Sequence, residues 1–76
     1  MEELVTYLVK GLVDTPEQVH VNTVESGSLV VHEVSVAQED LGKVIGRGGR
    51  IAEALRTIVR AVSSPDGRRH TVEIIS

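Results

Sequence analysis

Two glycines with two residues between them, Gly46 and Gly49, stand at the junction of two apolar-periodic segments, in the run Val44-Ile45-Gly46-Arg47-Gly48-Gly49-Arg50-Ile51. Gly46 falls where a helix over residues 38–45 should end, a position at which a left-handed residue carries least strain if it is glycine. Gly49 falls at the start of the next helix, whose first N–H groups have no partner within the helix. Without Cβ atoms, Gly46, Gly48 and Gly49 let a phosphodiester lie against the main chain. A helix N-terminus favours an anion at that spot. Arg47 and Arg50 add charge-assisted hydrogen bonds, and Lys43 sits one turn back on the preceding helix. The chemistry on offer is non-covalent capture of a phosphate backbone. The plainer alternative is a tight helix–helix connection that merely needs glycines.

Other chemistries lack their residues. The chain contains no cysteine, so thiolate nucleophiles, thiolate metal sites and disulfides are excluded. His20, His32 and His70 all fall on expected strands, and no metal-ligand or acid–base spacing joins them. They read as histidines at the surface or the edge of the core, with His32 and His70 directed toward the helices. No phosphate-binding GxxxxGK[ST] loop, HExxH pair or nucleophile elbow occurs. Arg47-Gly48-Gly49 is a single copy between helices, unlike the repeated RGG boxes of disordered segments. The expectation is a binding protein that is not an enzyme, with no cofactor and no metal.

Charge is distributed unevenly. The 76 residues carry a net charge of −3, which by itself argues against a polyanionic partner. Between Lys43 and Arg69, however, lie seven basic residues and two acidic ones, a local balance of +5. The remainder has Lys10 against nine acids, a balance of −8. An electrostatic footprint depends on such clustering, and in sequence the cluster brackets the glycine loop. Arg56, Arg60, Arg68 and Arg69 read equally well as an ordinary solvated face. With one tyrosine and no Phe or Trp, an aromatic platform for stacking bases is missing. Base contacts would have to use an aliphatic groove, for which Leu41, Val44 and Ile51 are the candidates, each equally readable as plain core.

Hydrophobic residues make up 41% and charged residues 25%, and residues 1–76 read as one small globular domain. The longest apolar run is three residues, too short to span a membrane, and Glu2 and Glu3 replace the basic start of a secretory signal. The expected location is the cytoplasm.

Six elements position the loop. Leu4, Leu8 and Leu12, with Val5 and Val9 beside them, predict a helix over 2–13, stopped by Asp14-Thr15-Pro16. Val19 and Val21 share a face of a strand over 18–25, and Ser26-Gly27-Ser28 makes a hairpin turn. A second strand over 29–36 has Val30, Val34 and Val36 on one face. A short helix over 38–45 bears Leu41, Val44 and Ile45. After the loop, Ile51, Leu55, Ile58 and Val62 recur at helical spacing, with Ala54 and Ala61 as small packing residues. Ser64-Pro65-Asp66-Gly67 is a turn by composition, and residues 70–75 close the chain as a strand. The resulting order is α-β-β-α-α-β, an α+β sandwich with helices packed on one face of a three-stranded sheet.

A G-x-x-G framed by two helices, which are framed in turn by strands, resembles the type II KH domain, whose loop clamps about four nucleotides of single-stranded nucleic acid. The whole chain, residues 2–75, looks like the small single-KH RNA-binding proteins of bacteria, the KhpA family. The matching residues are Leu12-Val13-Asp14 with Pro16-Glu17, Val19 and Val21, then Glu39-Asp40-Leu41-Gly42-Lys43-Val44-Ile45-Gly46, Gly49-Arg50 and Ala54-Leu55-Arg56. Members often carry Lys and a polar residue between the glycines, where this chain has Arg47 and Gly48. The resemblance implies single-stranded RNA held at Lys43, Gly46, Arg47, Gly48, Gly49 and Arg50. It further implies an RNA chaperone or post-transcriptional regulator that forms homodimers and pairs with a larger multidomain KH protein of the KhpB (Jag/EloR) type, in control of cell shape, elongation and cell-wall biogenesis. A protein-interaction module that uses the KH fold to dimerise, with nucleic acid secondary, is the alternative. A DNA-binding helix-turn-helix is disfavoured, because its turn is not normally a basic double-glycine loop.

Overall fold

The valine-rich alternation of the strands and the 3.6-residue spacing of the helices must share one apolar interior, and that interior sets the architecture. In a computed structural model, which describes residues 1–62 and 67–75, the elements are α1 (Glu2–Lys10), β1 (His20–Ser26), β2 (Leu29–Ser35), α2 (Leu41–Ile45), α3 (Arg50–Ala61) and β3 (Arg69–Ile74). The expected order α-β-β-α-α-β is the observed one. Single 3-10 turns at Pro16–Gln18, Gln38–Asp40 and Arg47–Gly49 join them.

The sheet is mixed, with β2 in the centre. The Gly27-Ser28 turn brings β1 back antiparallel to β2, pairing Val24 with Val31 and Thr23 with His32. β3 returns parallel to β2 after the α2–α3 crossover and pairs Val72 with His32. Side chains alternate across each strand, so Val30, His32 and Val34 point inward together with Val72. Val34 and Val72 meet Val5 and Val9 of α1, Val44 of α2, and Leu55 and Val59 of α3 in one buried cluster.

Three boundaries or faces differ from the sequence expectation. The first helix stops at Lys10, with the N–H of Gly11 donating to the Tyr7 carbonyl. Its buried residues are Val5 and Val9, while Leu12 lies beyond it and is exposed. The predicted helix over 38–45 divides into a 3-10 turn and the five-residue α2. On α3 the buried residues are Ala52, Leu55 and Val59, whereas Ile58 and Val62 are 41% and 42% exposed, and Ala54 and Ala61 are exposed too. Both strips have helical spacing and both are apolar, so periodicity alone does not choose between them. The predicted Ser64-Pro65-Asp66 turn lies outside the described residues.

Among the described residues, every buried side-chain nitrogen and oxygen has a hydrogen-bond partner. Two of the described polar residues are fully buried, His32 and Asp40. Asp40 accepts hydrogen bonds from the backbone N–H groups of Asp14 (3.3 Å) and Thr15 (3.0 Å), tying the α1–β1 connection to the start of α2. Burial pushes the Asp40 carboxyl up, but those two N–H groups and the Lys43 ammonium outweigh it, and its pKa lies below the ordinary value.

His32 sits mid-sheet. Its Nε2 is 2.9 Å from Nδ1 of His70 and its Nδ1 is 3.2 Å from the Thr23 hydroxyl, which donates to the Glu2 carboxylate. The two imidazoles stack with centroids 5.2 Å apart. Burial first, then the neighbouring His70 and the N-terminal amine, hold His32 below the ordinary histidine value of 6.5, against a smaller upward pull from Glu2. The unfolded chain therefore binds a proton at His32 more readily than the folded one. Stability contributed by neutral His32 is present above about pH 6.5 and is lost as the pH falls toward the lowered folded value. Thermal melts should accordingly show a lower Tm at about pH 5.5 than at about pH 7.5, and an NMR titration should place the His32 ring midpoint below 6.5. A Tm that rises on acidification across this range would contradict the assignment.

Candidate nucleic-acid interface

The loop is built by three consecutive demands on the main chain. α2 closes with the Gly46 N–H donating to the Gly42 carbonyl at 2.9 Å. Gly46 then takes φ 77° and ψ 169°, a region open essentially only to glycine. This is a positive φ as expected, but with extended ψ instead of the left-handed helical value. A Cβ on Gly46 would lie 2.6 Å from Cγ1 of Ile51 and 2.9 Å from its amide nitrogen. The chain thus doubles back so closely that Ile51 packs directly on the Gly46 main chain.

Gly48 (φ 65°) and Gly49 (φ 77°) are left-handed, and a Cβ on either would meet nothing within 4 Å. Their outer face is open, so another molecule can approach the main chain there. The Gly49 N–H donates to the Gly46 carbonyl and the Arg50 N–H to that of Arg47, making one tight turn into α3. Among the described residues no side chain caps the α3 N-terminus.

Arg47 and Arg50 are exposed at this turn, and among the described residues no carboxylate pairs with either. Two cations at the positive end of a helix are unfavourable, by about 0.3–1 kcal/mol each at the surface. The first-turn acid that would relieve them, Glu53, instead bridges Arg56 (3.3 Å) and Arg60 (3.5 Å) further along α3. An anion at the loop would supply the missing countercharge.

The other expected site residues divide. Lys43 pairs with Asp14 and with Asp40 (3.4 Å), and the Asp14 hydrogen bond, ahead of the opposing effect of burial, holds its ammonium above the ordinary value. Its charge is compensated locally, and it anchors α2 to the α1–β1 connection. Val44 is a correction to the aliphatic groove: it is fully buried in the core, and its neighbour Ile45, 38% exposed, faces outward. Leu41 and Ile51 are half-buried. Arg56 donates from Nε to the Val72 carbonyl (3.1 Å), so it serves the edge of β3. Arg60, Arg68 and Arg69 do not bracket the loop in space. They gather at the far end of α3, where Arg68 pairs with Glu25.

Asp40 is the residue whose importance the sequence reading missed. Within the helix expected over 38–45 an aspartate stands out in no way, and only the fold shows that its carboxylate reaches back to residues 14 and 15.

Comparison with known proteins gives the family of the chain. The family model for the KhpA/KhpB KH domain matches residues 2–74. A protein of Clostridium perfringens named RNA-binding protein KhpA is 49% identical over 75 residues, covering 99% of this chain and all of the relative. Proteins of the same name from Caldanaerobacter subterraneus and Chlamydia trachomatis are 48% and 41% identical over 75 residues, covering 99% of this chain and 100% and 96% of the relatives. No solved structure matches the chain.

The glycines make separable demands. Gly46→Ala forces a positive φ on a residue whose Cβ collides with Ile51, and should destabilise by about 2–4 kcal/mol, combining backbone strain with overpacking. Gly48→Ala meets only the left-handed penalty, about 1–2 kcal/mol. Denaturant titration of the two variants checks the order, and equal destabilisation would show that the Ile51 contact is not limiting.

Proposed function

The chain belongs to the KhpA/KhpB KH-domain family, and from that premise we propose that it binds single-stranded RNA through the Gly46–Gly49 loop and catalyses no reaction. The observation that carries the proposal is the uncompensated pair Arg47 and Arg50 at the open N-terminal turn of α3. The RNA-binding names of full-length relatives support it. The backbone of Gly48 and Gly49 takes the phosphate, the two arginines neutralise it, and Leu41, Ile45 and Ile51 offer aliphatic surface to bases. Lacking aromatic stacking, a single domain binds weakly and with loose sequence preference.

The finer reading is a cytoplasmic RNA chaperone or post-transcriptional regulator. It works with a larger KhpB-type KH partner in control of cell shape and elongation. Family membership is its support, and co-purification of such a partner from the native cell is its test.

The RNA reading is checked by a titration. Replacing Arg47 and Gly48 by aspartates puts two negative charges at the clamp and should weaken RNA binding at least about tenfold, with circular dichroism unchanged. With Lys43 compensated by Asp14 and Asp40, two phosphate contacts remain at the loop, so a short strand should give a log–log salt slope of about −1.4. Unchanged affinity in the folded double variant would move the function to protein interaction.

Arg50→Glu separates function from stability. It replaces an unfavourable cation at the helix start with a favourable acid, and should stabilise the free protein by about 0.5–1 kcal/mol while weakening RNA binding. Loss of both stability and binding would argue against an electrostatic role.

Self-association belongs to the same reading, because two linked weak sites gain avidity. The exposed strip Ala54, Ile58 and Ala61 on α3, with Val62 just past its end, is the apolar surface that favours it. A homodimer should appear in sedimentation at about 100 µM, roughly ten times the dissociation constant of a −7 kcal/mol pair, and Ile58→Glu should abolish it. A wild-type monomer at that concentration would exclude the dimer.

A further inference from the structure

Three arginines lie far from the glycine loop. Arg60 occupies the last turn of α3, ten residues from Arg50, which places it about 15 Å along the helix from the loop. β3 runs parallel to β2 and antiparallel to the crossover helix, so its first residues, Arg69 and His70, arrive at this same end. Arg60, Arg69 and His70, with Leu29 and Thr71, line an open concavity of about 490 Å³. Val59, Val62, Gly67 and Arg68 extend it into an adjoining hollow of about 400 Å³ that shares Arg60, Arg69 and His70. Arg69 is exposed, and among the described residues no carboxylate pairs with it. Among the described residues Arg60 pairs with Glu53 alone, at 3.5 Å, and both side chains of that pair are more than half exposed, which makes the pair weak and exchangeable. The negative end of α3 opposes an anion here with about half an elementary charge, which the full charge of Arg69 exceeds.

We propose that the Arg60–Arg69–His70 concavity is a second phosphate site, which holds the backbone of the same RNA strand beyond the nucleotides clamped at Gly46–Gly49. This rests on the RNA-binding reading of the loop and extends it. The two positive sites stand at opposite ends of α3, so a strand that fills only the loop, about four nucleotides, engages one of them. A longer strand engages both, and its second set of contacts is effectively intramolecular. The site explains how a chain of net charge −3 without an aromatic platform holds a polyanion: two local cationic footprints act on one strand.

The test compares a strand of about four nucleotides with one about three times longer, each titrated from about 50 to about 200 mM salt. The proteins are the wild type, the double variant Arg60→Gln/Arg69→Gln, and the loop variant Arg47→Asp/Gly48→Asp. The first double variant should bind the longer strand several-fold more weakly, with a salt slope reduced by about 1.4 for two lost contacts, and should bind the short strand as the wild type does. The loop variant should lose the short strand. Undiminished binding of the longer strand by Arg60→Gln/Arg69→Gln overturns the second site and leaves the loop reading intact. Equal loss on both strands also overturns it, since the effect is then not confined to the far end. If the wild type binds neither strand, the RNA reading and the second site fall together.

Discussion

The approach of Ile51 to the Gly46 main chain is the constraint on which the site depends. The chain leaves α2, turns through four residues and enters α3 with no room for a Cβ at Gly46. Any other residue there would push α2 and α3 apart, and the outer face formed by Gly48 and Gly49 would lose its shape. The strain is absorbed by glycine's access to positive φ at three of the four loop positions. What remains is a short stretch of open main chain at a helix start, flanked by two arginines with no paired carboxylate among the described residues. Two cations at the positive end of a helix are electrostatically unfavourable in the free protein.

The second anchor is Asp40. A buried carboxylate is tolerated only when its lone pairs are used, and two backbone N–H groups and an ammonium use them. The result is a polar lock between the α1–β1 connection and α2, placed directly behind the loop-bearing helix pair. It also withdraws Lys43 from the cationic surface, because the lysine that stands nearest the loop in sequence completes the lock. Its ammonium thereby holds α2 in place, and the cations at the loop without a paired carboxylate among the described residues are Arg47 and Arg50.

α3 carries more apolar surface than one core can cover. Ala52, Leu55 and Val59 fill the interior, and the adjacent strip at Ala54, Ile58, Ala61 and Val62 is left facing outward. The same helix separates charge: its N-terminal end presents the glycine loop, and its C-terminal end joins Arg60 to Arg69 and His70. A run of arginines that looks like one patch in sequence becomes two patches held apart by the length of the helix.

The element order, the sheet with its helical cover and the position of the G-x-x-G turn were legible in the sequence. Each rests on a local signal: alternation at Val19 and Val21, helical spacing around Leu55, glycines at a helix end. These signals arise from backbone sterics and side-chain periodicity within a few residues, so they survive without knowledge of the fold. What the sequence left open were choices between equivalent neighbours. Val44 or Ile45 had to face inward, and Leu55 had to be joined either by Val59 or by Ile58. The partner of Lys43 and the destination of Arg68 and Arg69 were also undetermined. Packing decided those, because a side chain's burial and a charge's compensation depend on what segments distant in sequence bring beside it. Asp14 lies 29 residues from Lys43, and only the closed fold places its carboxylate on that ammonium.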